Sequence, residues 1–283
     1  MNSASWVRWV VRSGIVGIVA LAALSMAAAP AAAADQCKNR GDLDIRYCDE
    51  DGDLLADTPK SPTAWLDPGT LIFSYTAVED PSVYENVFKE LMDHIAKKTG
   101  RPVKWYGPES YAAQVEAMRS GRLHISGFAA GATVYGVNLG GFHPVAMMGD
   151  KNGTFRGYRL WLITHKDSDI KTVKDLKNRK VAHVTPASNS GDQAPRALFK
   201  KEGITPDEDY KVVYSGKHDN SIMGVVNKDY DAAPIASTVM VRMIERKMFD
   251  RSAVRIVWES DQFPGTAYGY IYNLHPDLQK KVR

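Results

Sequence analysis

The stretch Thr185-Pro186-Ala187-Ser188-Asn189-Ser190-Gly191-Asp192-Gln193 lies between an apolar run, Lys180–Val184, and a helical pattern, Ala194–Lys201. A strand that leads through a hydroxyl-rich turn into a helix leaves several main-chain N–H groups unpaired at the helix start, with the positive end of the helix dipole behind them. The two serines and the asparagine of the turn would add side-chain donors there. The stretch therefore predicts a site for a small oxyanion such as a phosphate or phosphonate, although an ordinary helix cap uses the same residue types.

Apolar runs alternate with helical patterns on both sides of that stretch. The runs that predict strands are Leu71–Thr76, Val103–Tyr106, Leu123–Ser126, Val145–Met148, Tyr158–Thr164, Lys180–Val184, Lys211–Val213, Asp231–Ala233, Val254–Trp258 and Ala267–Tyr272. Such alternation predicts an α/β fold with open, mainly parallel sheets, whose ligands bind at the carboxyl ends of the strands. Tyr75 and Phe128 lie at that end of their strands.

We expect two lobes joined by a hinge, with a ligand between them. Lobe 1 would comprise residues 65–165 and 265–283, and lobe 2 residues 166–264. The chain ends inside a helical pattern that begins near Pro276, and we therefore expect the natural C-terminus to lie beyond Arg283.

The N-terminal residues have the layout of a secretory signal. Arg8 and Arg12 precede an apolar run, Gly14–Met26, and small residues follow as far as Ala34. This run is shorter than the ~20 residues that a membrane anchor needs. We expect residues 1–34 to be removed and the protein to reach the periplasm. The formal charge then falls from +3 to +1, because the segment has two arginines and no acid; a near-neutral chain without basic runs does not indicate nucleic-acid binding.

Residues 35–64 form an acidic lead segment and linker. Cys37 and Cys48 predict a disulfide, since an exported protein with two cysteines normally pairs them. The acids that follow alternate around a glycine, as calcium ligands do. They are Asp49, Asp51, Asp53 and Asp57. Because the glycine stands at position 4 rather than 6 and position 12 is a lysine, the match to an EF-hand loop is partial, and a solvated acidic turn is the alternative.

Several motifs, in order along the chain, together resemble one family. They are Ser110-Tyr111-Ala112-Ala113, Ala117–Ile125, Gly157-Tyr158, Ser188-Asn189-Ser190-Gly191 and His218-Asp219-Asn220-Ser221. The sequence resembles the phosphonate, phosphite and phosphate type of periplasmic substrate-binding proteins of ABC transporters, over roughly residues 71–272.

The resemblance implies roles for individual residues. Tyr111, Phe128 and Tyr158 would form aromatic walls. The loop Ser188, Asn189, Ser190 and Gly191 would hold the oxyanion, and His218 with Asp219 would complete the site. Asp219 could accept the proton of a P–OH group and repel a fully deprotonated anion.

Two positions depart from the family pattern. Asn189 replaces a threonine hydroxyl, and Thr266 stands where phosphonate binders place an aspartate. Without that carboxylate an aminoalkyl phosphonate loses its amine partner. Phosphate, phosphite or a small alkylphosphonate is then favoured.

Other interpretations of these residues remain open. The tyrosines could be core aromatics and Asp219 a surface acid. A secreted phosphoester-processing enzyme could use Ser190 as nucleophile and His218 as base. We expect instead a monomeric binding protein without cofactor that delivers its ligand to a membrane-embedded ABC permease, or presents it to a membrane sensor.

Overall fold

The computed structural model describes residues 37–283; the predicted signal sequence, residues 1–34, lies outside them. The strands are β1 (Leu71–Tyr75), β2 (Val103–Tyr106), β3 (Ile125–Phe128), β4 (Phe142–Met147), β5 (Gly157–Tyr158), β6 (Leu160–His165), β7 (Lys180–His183), β8 (Lys211–Tyr214), β9 (Ala232–Ala236), β10 (Val254–Glu259), β11 (Phe263–Pro264) and β12 (Ala267–Ile271). The helices are α1 (Ser82–Val87), α2 (Lys89–Thr99), α3 (Tyr111–Arg119), α4 (Ala130–Gly140), α5 (Ala194–Leu198), α6 (His218–Val226), α7 (Ser237–Glu245) and α8 (Pro276–Val282). No helix within residues 37–283 has both the length and the apolar character to cross a membrane.

Two five-stranded sheets organise the described chain. The first has the order β2-β1-β3-β12-β4, and the second has the order β10-β6-β9-β7-β8. Strands β5 and β11 pair separately as a two-stranded sheet. We refer to each five-stranded sheet and its flanking helices as a lobe, and β5 and β11 lie next to the points where the chain passes between them.

Each sheet is mixed but mainly parallel, as the sequence predicted, since four of its five strands run in one direction and one runs opposite to them. In the first sheet β1 runs parallel to β2 and β3, whereas β12 is antiparallel to β3 and β4. In the second sheet β7 runs parallel to β8 and β9, whereas β6 is antiparallel to β9 and β10. The strands that enter a lobe from the other one, β6 and β12, are the ones that insert antiparallel.

The boundary between the lobes, as strand pairing defines it, lies before the predicted position at residue 165. Strand β6 pairs with β9 and β10 of the second sheet, although residues 160–165 were expected in lobe 1. The chain therefore leaves the first sheet before Leu160, about five residues earlier than the sequence indicated. Hydropathy alone does not assign a short apolar strand to one sheet or the other.

The helical region between β1 and β2 is interrupted at Phe88, where the backbone has φ −92° and ψ 1°. The Phe88 ring packs against Phe73 and Tyr75, with ring centroids 5.2 and 5.0 Å apart. The second part, α2, buries Met92 and Ile95 and ends at Gly100 in the left-handed conformation, φ 71°. The aromatic core of the first lobe thus lies at the break between α1 and α2.

The lobes are in direct contact. The His218 N–H donates to the Val78 carbonyl at 2.9 Å, and the Asp80 N–H donates to Asp219 Oδ2 at 3.0 Å. One cluster of buried apolar side chains includes residues of both sheets. The structure is therefore a closed arrangement of the two lobes.

The lead segment is packed on the first lobe rather than separate from it. Cys37 and Cys48 form a disulfide, with their Cα atoms 5.4 Å apart. The Asp44 N–H donates to the Asn138 carbonyl at 2.7 Å. Leu43, Tyr47 and Ala56 form a small buried cluster against Val137 and Tyr272. This part of the chain therefore belongs to the folded body, which begins earlier than Trp65.

Candidate functional site

A cavity of about 240 Å³ lies between the two lobes. Its lining includes predicted site residues from both sides, namely Tyr75, Tyr111, Tyr158, Ser188, Asn189, Ser190 and His218. A cavity of this size suits a small ligand, since pockets for drug-sized molecules start at about 300 Å³.

Five helical segments of the described chain begin at this cavity. Its lining contains the first residue of α3, α4 and α6, the second residue of α7, and Asn189, which begins a wide helical turn before α5. The residues that precede α4, α6 and α7 make no capping side-chain hydrogen bond, although within α6 Asp219 Oδ1 accepts the Asn220 N–H. Helix starts carry partial positive charge and unpaired N–H groups. Their convergence gives the cavity wall the partial positive charge that favours an anion.

The oxyanion loop has the form that the sequence predicted. Ser188 and Ser190 are each 2% exposed and line the cavity. The Gly191 N–H donates to Ser188 Oγ at 3.2 Å, and residues Asn189–Gln193 form a π-type turn that continues into α5. The loop therefore presents hydroxyl groups at the start of a helix.

A network of hydrogen bonds around the buried Asp192 and His183 side chains supports this loop. Asp192 Oδ1 lies 2.8 Å from His183 Nδ1, and Arg196 Nε donates to both carboxylate oxygens of Asp192 at 3.1 and 3.0 Å. His183 Nε2 lies 2.8 Å from the Tyr210 hydroxyl. Such a network fixes the turn and pre-organises its donors before a ligand arrives.

His218 is held as a neutral hydrogen-bond donor. The Ala236 N–H donates to His218 Nδ1 at 3.1 Å, so the ring hydrogen lies on Nε2, which is 3.3 Å from Ser188 Oγ. Burial lowers the pKa of His218 to about 3, and the charge of Arg242 acts in the same direction. The Nε2–H group therefore faces the cavity without a charge on the ring.

The three tyrosines at the cavity are tied by their hydroxyl groups. Asn189 Nδ2 donates to the Tyr158 hydroxyl at 2.9 Å, and the Tyr75 hydroxyl lies 3.0 Å from Thr266 Oγ1. Tyr111 pairs with Ser188, and its burial raises its pKa. These tyrosines thus line the cavity, and their hydroxyl groups take part in its hydrogen bonds.

Three predicted residues do not line the cavity. Phe128 is fully buried against Phe142, with ring centroids 4.7 Å apart, because its side chain points into the core of the first lobe. Gly191 packs against Val184 and Ser188 within the loop. Asp219 accepts the Asp80 and Asn220 N–H groups, and burial raises its pKa. It joins the lobes rather than facing a ligand.

The cavity wall also contains two arginines that the sequence did not indicate as site residues. Arg156 and Arg242 both line it. Arg242 Nε donates to Glu79 Oε1 at 2.7 Å, across the lobes. The residues lie 163 positions apart, and no local motif marks either. Among the described lining residues there is no carboxylate, so the charges at the cavity wall are positive.

The profile of a family described as ABC transporter, phosphonate, periplasmic substrate-binding protein matches residues 73–283. The chain belongs to this family. The resemblance noted in the sequence is thereby confirmed, and so is the two-lobed α/β fold.

Relatives of this phosphonate-binding family agree with that assignment. The phosphate-import protein PhnD of Mycolicibacterium smegmatis is 28% identical over 238 residues, which cover 81% of this chain and 74% of PhnD. A binding component of a phosphonate ABC transporter from Pseudomonas aeruginosa has the same fold, with TM-score 0.70 and 22% identity over 77% of this chain and 73% of its own. PhnD1 of Prochlorococcus marinus, solved with methylphosphonate, aligns with TM-score 0.67 and 18% identity over 76% and 83% of the two chains. The first of these relatives is described as an import protein and the second as a binding component of a transporter.

The pKa of His218 predicts a pH dependence of stability. The unfolded chain binds a proton on this histidine below pH ~6.5 and the folded protein does not, so folding stability falls as the pH drops from ~6.5 towards 3. Between pH 7 and pH 5 the loss from this residue is about 2 kcal/mol. His218→Gln should remove that part of the loss, as measured by urea unfolding at both pH values.

The control for this measurement is His94→Gln, which changes an exposed histidine of α2. It should leave the pH dependence of the wild type unchanged. If His218→Gln loses as much stability as the wild type between pH 7 and pH 5, His218 is not held neutral by its burial.

Proposed function

We propose that this protein captures a small phosphorus oxyanion, such as phosphate, phosphite or methylphosphonate, and delivers it to the membrane permease of an ABC importer. The observation that carries the proposal is the convergence of five helix starts, two serine hydroxyls and the His218 Nε2–H on one small cavity. Tyr75, Tyr111 and Tyr158 would enclose the ligand, and Asn189 would orient Tyr158.

The ligand class follows from the charges at the wall. The helix-start N–H groups, the hydroxyl groups, the His218 Nε2–H and the two arginines at the cavity each offer a hydrogen-bond donor or a positive charge. Hydroxyl oxygens can also accept the proton of a P–OH group. Asp219 does not line the cavity, so these hydroxyl oxygens rather than the Asp219 carboxylate would accept that proton. Without a carboxylate at the wall, an aminoalkyl phosphonate has no partner for its ammonium group, which favours phosphate, phosphite and small alkylphosphonates.

Lobe closure would complete the site. The groups that would bind the anion come from both lobes, so the ligand is enclosed only when the lobes meet. We propose that the closed form, complete within a single chain, is what the permease recognises. We also propose that residues 1–34 direct the chain to the periplasm and are removed.

Enzymatic use of Ser190 and His218 is disfavoured by the geometry. A general base needs a lone pair directed at the nucleophile, but His218 Nε2 carries the ring hydrogen and its neighbour is Ser188, not Ser190. A pKa of about 3 also makes this imidazole a weak base. We therefore propose that the protein binds its ligand without changing it.

Ser190→Ala tests the loop. Loss of one hydroxyl that donates to a charged ligand should weaken methylphosphonate or phosphate binding by about tenfold, or about 1.5 kcal/mol. Isothermal titration calorimetry measures the change.

Ser237→Ala is the matched control. Ser237 also lies at a helix start next to the cavity, but its Oγ accepts the Arg159 N–H and it does not line the cavity. It should leave affinity unchanged. Equal effects of the two substitutions would show that the loss is a general consequence of removing a buried hydroxyl.

A further inference from the structure

The acidic part of the lead segment holds three carboxylates close together. Asp49, Asp51 and Asp53 each offer an oxygen, and these oxygens all lie within 4.8 Å of one another. The chain turns between them at Gly52, which has φ 75°. Two oxygens bound to one Ca²⁺ at ~2.4 Å can be at most about 4.8 Å apart. The three carboxylates are therefore close enough to share one ion.

Asp49 supplies an independent observation that points to a cation. Its side chain is buried, 1% exposed, and its Oδ1 atom has no hydrogen-bond partner in the described chain. Its other oxygen accepts only the Leu54 N–H, at 3.2 Å. An unpartnered carboxylate oxygen in a buried position is strongly unfavourable unless a positive charge lies beside it.

Side chains of the described residues do not provide that charge. Within residues 37–283 no lysine, arginine or histidine forms an ion pair with Asp49, Asp51 or Asp53. Lys60 lines a surface cavity together with Asp51 and Asp53, but its Nζ atom pairs with Glu50, at 3.2 Å. The cluster thus keeps three negative charges and one buried, unsatisfied oxygen.

We propose that Asp49, Asp51 and Asp53 bind a calcium ion. An all-oxygen ligand set on a short turn suits Ca²⁺, which tolerates irregular coordination and completes its shell with water, whereas Mg²⁺ requires near-ideal octahedral geometry. Asp57, which the sequence suggested as a fourth ligand, lies outside the group of three, and its Oδ2 accepts the Glu50 N–H at 3.1 Å.

The ion would fasten the lead segment to the first lobe. The site directly follows Cys48 of the disulfide, and Ala56 beyond it packs in the small cluster with Leu43 and Tyr47. His143 Nε2 of strand β4 contacts the Ala56 carbonyl at 2.7 Å. Calcium would therefore stabilise this attachment, and the ligand cavity, which shares no residue with the acidic site, would be unaffected.

The test compares the melting temperature of the exported chain in EDTA with that in about 5 mM CaCl₂. This concentration is several times the weakest Kd of extracellular calcium modules, which is about 1 mM. The wild type should melt about 2–4 °C higher with calcium, and more if its Kd is lower. Asp51→Asn combined with Asp53→Asn, both at exposed positions, should abolish this shift. Asp49→Asn should abolish it too, without lowering the melting temperature in EDTA, because it removes a buried unpaired charge.

Asp42→Asn is the matched control, since it removes one exposed carboxylate from the same segment outside the group of three. It should keep the full calcium shift. The proposal is overturned if calcium does not raise the wild-type melting temperature, if the shift persists in the Asp51 and Asp53 variant, or if MgCl₂ at the same concentration produces an equal shift.

Discussion

Gly131→Ala is expected to weaken ligand binding by about 100-fold, or about 3 kcal/mol, while each lobe stays folded. Gly131 lies in the first turn of α4 on the first lobe. A Cβ at this position would be 2.5 Å from the Asn189 N atom and 2.7 Å from the Ala187 O atom of the opposite lobe. Main-chain atoms cannot rotate away as a side chain could, so the lobes would have to separate.

The matched control is Gly140→Ala, at the other end of the same helix. A Cβ there would meet the Val115 carbonyl oxygen at 3.5 Å, which is an ordinary contact within one lobe. This variant should bind like the wild type, and its stability should be unchanged or slightly higher, since alanine favours a helix over glycine. If both variants bind normally, the closed arrangement is not the ligand-binding form.

Glu79→Gln is expected to destabilise the closed form by about 3 kcal/mol and to weaken apparent affinity accordingly. Glu79 on the first lobe is 1% exposed and accepts the Tyr84 hydroxyl at 2.7 Å. It also pairs with Arg242, at 2.7 Å, and with Arg246 on the second lobe. Removing one partner of a buried ion pair costs about 3–5 kcal/mol. We take the low end, because both arginine side chains keep about a third of their surface in water.

The physical reason is that a glutamine oxygen placed to accept from Tyr84 and Arg242 leaves the N–H₂ group facing the Arg246 guanidinium, and the negative charge that both arginines pair with is lost. The arginines can return to water only if the lobes open, so the open form gains population and the apparent affinity falls with the closed fraction. Titration calorimetry gives the affinity. Small-angle X-ray scattering in saturating ligand gives the degree of closure.

Glu85→Gln makes the same charge change at an exposed position on α1 and should bind like the wild type. If Glu79→Gln also binds with unchanged affinity and stays compact, the ion pairs between the lobes are not what holds them together.

The sequence predicted those parts of the site that depend on local signals. The loop from Ser188 to Ser190 was recognisable because a strand, a hydroxyl-rich turn and a helix follow each other directly. His218 was predicted from the family resemblance, through the short motif His218-Asp219-Asn220-Ser221. In both cases the structure brings the predicted side chains to the cavity.

What the sequence could not provide depends on long-range geometry. The contact of Arg242 with Glu79 joins residues from different lobes, and the order of strands sets it. Phe128 stands at a strand end, as a ligand residue would, but alternation along β3 directs its ring into the core. Long-range pairing also decides which sheet contains β6. An apolar strand of six residues fits either sheet, and only its pairing with β9 places it in the second.

Calorimetric titration of the wild-type protein with phosphate, phosphite and methylphosphonate, and with sulfate as the comparison anion, tests whether the protein binds a phosphorus oxyanion. It also supplies the reference affinity for every variant above. We predict saturable binding of one ligand per chain for at least one of the three phosphorus oxyanions, tighter than the binding of sulfate. Absence of binding for all three at about 1 mM, or tighter binding of sulfate, would contradict the account.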